Sequence, residues 1–148
     1  MLTGDSLYIV IVGCGRLGSF LANRLSGDGH SVVVIDAEEK SFQALSAEFS
    51  GFRVTGDGTE FAVLKQAKTE RADVVIATTR EDNVNLMVSQ VARKVFEVPN
   101  VIARVFEPER GSIYQELGVE TICPTTIAGE VFLDTLGKLM QRAEEGEQ

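Results

Sequence analysis

The apolar run Tyr8-Ile9-Val10-Ile11-Val12 leads directly into Gly13-Cys14-Gly15-Arg16-Leu17-Gly18, and the next apolar run, Ser31 to Ile35, ends on Asp36. A strand that feeds a Gly-x-Gly-x-x-Gly turn, followed by the helical pattern Leu17, Phe20, Leu21, Leu25, can fold in few ways. Gly13 permits the tight turn, Gly15 lets a pyrophosphate approach bare backbone, and Gly18 allows the first helix to pack on the strand. The unpaired N–H groups at the start of that helix then face phosphate oxygens. Asp36 is placed to accept hydrogen bonds from both hydroxyls of an adenosine ribose, and its charge repels a 2′-phosphate. Together these residues predict a site for NAD(H) or an adenine nucleotide with a free ribose 2′-OH, rather than NADP.

Apolar runs alternate with helical patterns along the whole chain, which is the signature of a parallel sheet covered on both faces. Strands are predicted at 8–13, 31–36, 52–55, 73–78, 100–105 and 119–123. Helices are predicted at 16–27, 39–49, 59–68, 81–96 and 107–116, with a C-terminal crossover helix over 125–143. Gly27-Asp28-Gly29, Ser50-Gly51, Val98-Pro99-Asn100 and Gly118 supply the breaks. The expected fold class is α/β: a single Rossmann-like, doubly wound sheet of six strands in the order 3-2-1-4-5-6. Its ligand crevice lies where strands 1 and 4 diverge. The 148 residues suffice for one domain, read as 1–143, with an acidic tail over 144–148 expected to fray.

A net charge of −8 without any Lys/Arg run argues against a nucleic-acid partner. No apolar stretch reaches the roughly 20 residues of a membrane span, and the N-terminus lacks the pattern of a signal peptide. The expected location is therefore cytoplasmic, without direct membrane insertion. Cys14 and Cys123 fall at strand ends three positions apart, on the order of 14 Å, too far for a disulfide.

Strand ends are where chemistry is to be sought. After strand 3, Gly56-Asp57-Gly58-Thr59 reads equally as a turn with a helix cap or as a wall of an adenine pocket. After strand 4, Thr79 and Asp82 have capping-box spacing, while Thr78 and Thr79 also flank the crevice within reach of ribose or phosphate, and Asn83 faces the loop. Arg104 is a lone cation in the apolar strand Val101 to Val105, and an unpaired buried charge is expensive. Its partner is either a carboxylate at the strand end or the phosphates of a nucleotide. Arg16 opposes the dipole of the first helix, a mismatch that a bound polyphosphate reverses; the alternative is a solvated side chain.

Candidate catalytic groups are sparse. His30, the one histidine, precedes strand 2 at the adenosine end. Neither Tyr8 nor Tyr114 is followed by a lysine at the short helical spacing of a proton-transfer pair. No Cys/His cluster has metal-ligand spacing, and no P-loop is present. The residues predict no catalytic group and no metal site: a nucleotide-binding core that behaves as a sensor.

Five blocks in order, Gly13-Cys-Gly-Arg-Leu-Gly18, Val-Ile-Asp36, Gly56-Asp-Gly-Thr59, Ala-Thr-Thr79 with Asp82-Asn83, and Ile-Ala-Arg104-Val, resemble the regulator-of-potassium-conductance N-terminal domain, also called the KTN or TrkA-N domain. The resemblance runs from Tyr8 to about Leu139. It implies a non-enzymatic domain that binds NAD(H), ATP or ADP and regulates a potassium transporter or channel. Arg16 would read terminal phosphate, Asp36 hold the adenosine ribose, Thr78 and Thr79 line the crevice, and Arg104 contact phosphate or the neighbouring ribose. The implied partners are further copies of the chain, as a dimer or larger ring, and a membrane-embedded potassium transport subunit that keeps the domain peripheral to the inner face of the membrane. Many members carry a glutamate after the proline that follows strand 6, where this chain has Thr125, so no interface cation site is carried over. The second ligand-binding domain common in the family is also not expected here. In the final helix, Ile127, Val131, Leu136, Leu139 and Met140 are read as one apolar band that crosses to a partner. The competing reading is a small NAD-dependent oxidoreductase or a fragment of one. A third is an interaction scaffold with a vestigial loop.

Overall fold

The computed structural model describes residues 5–146. Six strands form one sheet: β1 (Tyr8–Val12), β2 (Ser31–Asp36), β3 (Phe52–Thr55), β4 (Val74–Ala77), β5 (Asn100–Arg104) and β6 (Glu120–Ile122). Their order is β3-β2-β1-β4-β5-β6 and every pairing is parallel, with Val10 opposite both Val33 and Val75. The expected doubly wound sheet is therefore the observed one.

Alternation along the strands divides the core in two. Val10, Val12, Val33 and Ile35 face a cluster completed by Leu64 of α2 (Phe61–Gln66), Val88 and Ala92 of α3 (Asp82–Lys94) and Tyr114 of α4 (Gly111–Glu116). Ile9, Ile11, Val32 and Val34 face the other, completed by Ala22 of α1 (Arg16–Gly27) and by Phe42, Leu45 and Phe49. Strands buried on both faces explain why the sequence shows continuous Val/Ile runs instead of alternation.

The helix expected over 39–49 is replaced by a 3₁₀ turn, Glu39–Ala44, that stops at Leu45 in an extended conformation (φ −74°, ψ 140°). Phe42, Leu45 and Phe49 are all buried there, so packing against the sheet overrides local helix propensity. The segment 59–68 yields only α2, and 107–116 divides into a 3₁₀ turn, Pro108–Arg110, and α4.

The last helix, α5 (Pro124–Gly146), is longer than expected. Glu144 and Glu145 are helical rather than frayed, and the tail residues 147–148 lie outside the described residues. No residue of α5 is buried. Its apolar residues do not form the single band expected: at about 100° per residue, Ile127 and Leu136 fall on opposite sides. Ile127 and Val131 mark one stripe, and Phe132, Leu133, Leu136, Leu139 and Met140 form a broader second face, all exposed. No helix among the described residues is long and apolar enough to cross a membrane.

Candidate functional site

Steric demand fixes the fingerprint. Gly13 has φ +107°, and a Cβ there would lie 2.9 Å from the Thr79 nitrogen. A Cβ on Gly18 would lie 1.8 Å from the Gly13 carbonyl oxygen, so the contact of α1 with the end of β1 exists only with glycine at that position. Gly15 is different: a Cβ there meets no atom within 4 Å and projects into open space. The first helical N–H to find a backbone partner is that of Ser19, which donates to the Gly15 carbonyl. The N–H groups of Arg16, Leu17 and Gly18 precede it and lack intrahelical partners, which gives the α1 terminus its anion-seeking character.

The ends of β1, β2, β3, β4 and β5 surround a crevice of about 720 Å³. Ten of the expected site residues line it: Gly13, Gly15, Arg16, Asp36, Gly56, Asp57, Gly58, Thr78, Thr79 and Arg104. Four do not. Cys14 is buried beneath the loop and Gly18 is packed against Gly13, while Leu17 is half-buried on α1. Asn83 accepts from Arg110 Nη1 at 3.0 Å in a neighbouring cleft, because the start of α3 turns it away from the crevice. The N–H groups of Leu17 and Gly18 are among the donors at the α1 terminus that lack intrahelical partners.

Asp36 works in both directions. Its Oδ2 accepts from the Cys14 N–H at 2.8 Å and its Oδ1 from the Glu38 N–H at 2.9 Å, which ties the fingerprint loop to the end of β2. Each carboxylate oxygen keeps a further lone pair for a ribose hydroxyl. Asp57 accepts from both the N–H and the hydroxyl of Thr59 through Oδ1, and that hydroxyl holds its carboxyl below the usual range. The same turn lines the crevice through Gly56, Asp57 and Gly58.

The two threonines are less available than their position suggests. Thr78 Oγ1 donates to the carbonyls of Val12 and Gly13, at 3.2 and 3.1 Å. Thr79 donates both its N–H and its hydroxyl to Asn85 Oδ1, at 2.9 and 2.7 Å. Their protons hold the crevice walls in place. The capping box expected between Thr79 and Asp82 does not form. Glu81 precedes α3, and the Asp82 carboxylate instead accepts from the N–H groups of Phe106 and Glu107.

Arg104 carries the clearest electrostatic signal. Its guanidinium carbon lies 4.2 Å from the centroid of the Phe106 ring, and its Nε is buried without a hydrogen-bond partner among the described residues. No carboxylate of the described residues forms a salt bridge with Arg104 or Arg16. A cation that lines the same crevice as the glycine loop and keeps a buried donor unpaired fits a phosphate-bearing ligand. Sequence reasoning missed Asn85 because its partners are 6 and 19 residues away, beyond any local pattern.

Groups outside the crevice have structural occupations. His30 Nδ1 accepts from the Leu7 N–H, Tyr8 donates its hydroxyl to the Ala67 carbonyl, and Tyr114 donates to the Asp82 carbonyl at 2.7 Å. Burial pushes the Tyr114 phenol up to about 12. Both cysteines are free. Burial, reinforced by the Asp36 charge, pushes the Cys14 thiol up to about 11, whereas hydrogen bonds from Thr126 lower that of Cys123. Alkylation needs the thiolate, and at pH 8 a thiol titrating near 11 supplies about one thiolate in a thousand. In the native protein Cys123 is expected to react at least about tenfold faster with iodoacetamide than Cys14, as peptide mass spectrometry would record. Equal rates would contradict the burial of Cys14.

The sequence matches the family model of the TrkA-N domain over residues 9–124, which end where α5 begins. The Trk system potassium uptake protein TrkA of Streptomyces coelicolor is 45% identical over 116 residues, covering 78% of this chain and 52% of that protein. The chain spans between 22% and 60% of the length of the TrkA relatives it matches, and about half of that from Streptomyces coelicolor. Among solved structures, the TrkA-N domain of inner membrane protein ybaL from Escherichia coli superposes with a TM-score of 0.79 at 21% identity, covering 90% of this chain and 99% of that one. The GsuK channel bound to NAD gives 0.69 at 23% identity over 85% of this chain and 23% of that one. GsuK bound to ADP gives 0.70 at 23% identity over 86% of this chain and 34% of that one. By sequence match, sheet order and fingerprint geometry, the chain belongs to the TrkA-N domain family.

Proposed function

We propose that this chain is the nucleotide-binding regulatory domain of a potassium uptake system or channel, and that NAD(H), ATP or ADP occupies the crevice between β1 and β4. The observation that carries this reading is the pairing of the open Gly15 cradle with the buried, partnerless Nε of Arg104. Two phosphate-seeking groups that line one crevice suit a diphosphate. The naming of relatives as TrkA potassium uptake proteins, and the GsuK structures with NAD and with ADP, support it. In this reading the loop N–H groups and Arg16 hold the phosphates, Asp36 the adenosine ribose, and Gly56 to Gly58 the adenine side. The ligand is retained and sensed, not transformed. Calorimetric titration with ADP, ATP, NAD⁺ and NADH tests the assignment: at least one should bind in the micromolar range, and no binding of any at millimolar concentration would reject it.

The same reading makes the chain a homo-oligomer that acts at the cytosolic face of the membrane through a transport subunit. Support comes from α5, whose second face leaves Phe132, Leu133, Leu136, Leu139 and Met140 exposed together. An apolar patch of that extent is uncommon on a monomer. Replacing Leu136 and Leu139 by glutamate is expected to convert a dimer to a monomer in light scattering. The dissociated domain should keep the parent's circular dichroism spectrum, because no α5 residue is buried within its own chain, while its melting temperature loses the contribution of association. A parent protein that is monomeric at every concentration would remove the dimer from the proposal.

A further inference from the structure

The corner that presents Arg104 is held from α3 by two side chains one turn apart. Asn85 is completely buried and uses its whole amide: Oδ1 accepts twice from Thr79, while Nδ2 donates to the carbonyls of Thr79 and Arg104 at 3.1 and 3.0 Å. Asp82 accepts the Phe106 N–H at 2.8 Å. The backbone is thereby fixed on both sides of Val105, at the Arg104 carbonyl and at the Phe106 nitrogen. The Phe106 ring lies under the Arg104 guanidinium, Arg104 lines the crevice, and its Nε is buried without a partner among the described residues.

An arginine on a flexible stem loses rotamer freedom when it grips an anion, and that loss weakens binding. A guanidinium already stacked on an aromatic face has lost most of it beforehand, and the ring satisfies one face of the cation without using any N–H. We infer that Phe106 is a positioning residue for nucleotide binding: it acts through Arg104 by holding the guanidinium in its phosphate-accepting orientation, with Asp82 and Asn85 fixing the corner. Phe106 borders the neighbouring cleft and does not line the crevice. The inference rests on the nucleotide reading above, since the anion it serves is the ligand's phosphate.

A double-mutant cycle on the full chain, with ADP as probe, separates positioning from general damage. Phe106→Leu should weaken ADP binding about tenfold, while Phe106→Tyr, which keeps the ring, should stay within about twofold of the parent. In an Arg104→Met background, Phe106→Leu should have no further effect, because the group through which it acts is gone. An equal loss in both backgrounds, or a Phe106→Tyr variant as weak as Phe106→Leu, would overturn the assignment. A second readout needs neither ligand nor a stable variant at position 106. The Arg104 Nε–H proton, identified by its absence from Arg104→Met, should be shifted upfield by the ring in the free parent protein. Its appearance at an ordinary position would show the stack to be absent and overturn the inference on its own. A shifted signal in a protein that binds no nucleotide would instead defeat the nucleotide reading, and with it the role given to Phe106.

Discussion

Gly18→Ala is expected to destabilise the domain by about 3 kcal/mol or more, the upper part of the range for overpacked positions. The added methyl carbon would sit 1.8 Å from the Gly13 carbonyl oxygen and 2.9 Å from Thr78 Oγ1. Neither neighbour can yield cheaply. Gly13 is anchored by its N–H to the Ile35 carbonyl, and the Thr78 hydroxyl is bonded to the Val12 and Gly13 carbonyls. Relief therefore requires α1 to move off the sheet, which would expose the cluster around Ile11, Ala22 and Val34. A domain of this size has roughly 5–15 kcal/mol in total, so the loss is a large share of its stability. The melting temperature should fall by about 10 °C. A decrease under about 2 °C would mean that α1 is not seated as described.

Gly15→Val should do the reverse, sparing the fold and removing the ligand. Gly15 precedes α1 with φ −81° and ψ −158°, an extended conformation open to any L residue, and its side-chain direction is empty. Loss of a modest capping preference is the main structural consequence, worth less than about 1 kcal/mol. The same empty direction is where a pyrophosphate must approach the free N–H groups of α1. A branched side chain there occupies the phosphate volume, and affinity for ADP and NADH is expected to fall by about 100-fold or more, equivalent to about 3 kcal/mol. Calorimetry and a thermal melt on the same sample distinguish the two effects. Retained affinity would place the phosphates elsewhere in the crevice. The scaffold reading also predicts a stable Gly15→Val protein, but it differs by predicting no nucleotide binding in the parent.

The contrast between these two glycines explains why so much of the molecule was legible before the structure. Gly13, Gly18 and Asp36 meet demands that arise within a single strand-turn-helix unit, so their spacing carries the information. The sheet order followed for the same reason, since six apolar runs alternating with helical patterns admit few connections. Contacts formed between distant segments left no such trace. Asp82 has the spacing of a local cap to Thr79, yet its carboxylate is drawn to N–H groups 24 and 25 residues away. Asn83 and Asn85 are indistinguishable by composition. Two residues of helical rotation, about 200°, send one to Arg110 at the surface and the other into the wall of the crevice. Leu45 belongs to a helical pattern in sequence and to an extended turn in space, because burial of Phe42 and Phe49 decides the outcome.

The sheet is firmly anchored in its middle and lightly at its far edge. β4 is buried at every position and β1 at all but its first, whereas β6 has three residues, none fully buried, and a single neighbour. Local opening follows the density of buried contacts, so hydrogen exchange is expected to be faster at β6 than at β1 and β4. The helix that leaves the domain is suspended from that strand. A tilt at β6 would thus be carried along a helix of 23 residues, about 35 Å long.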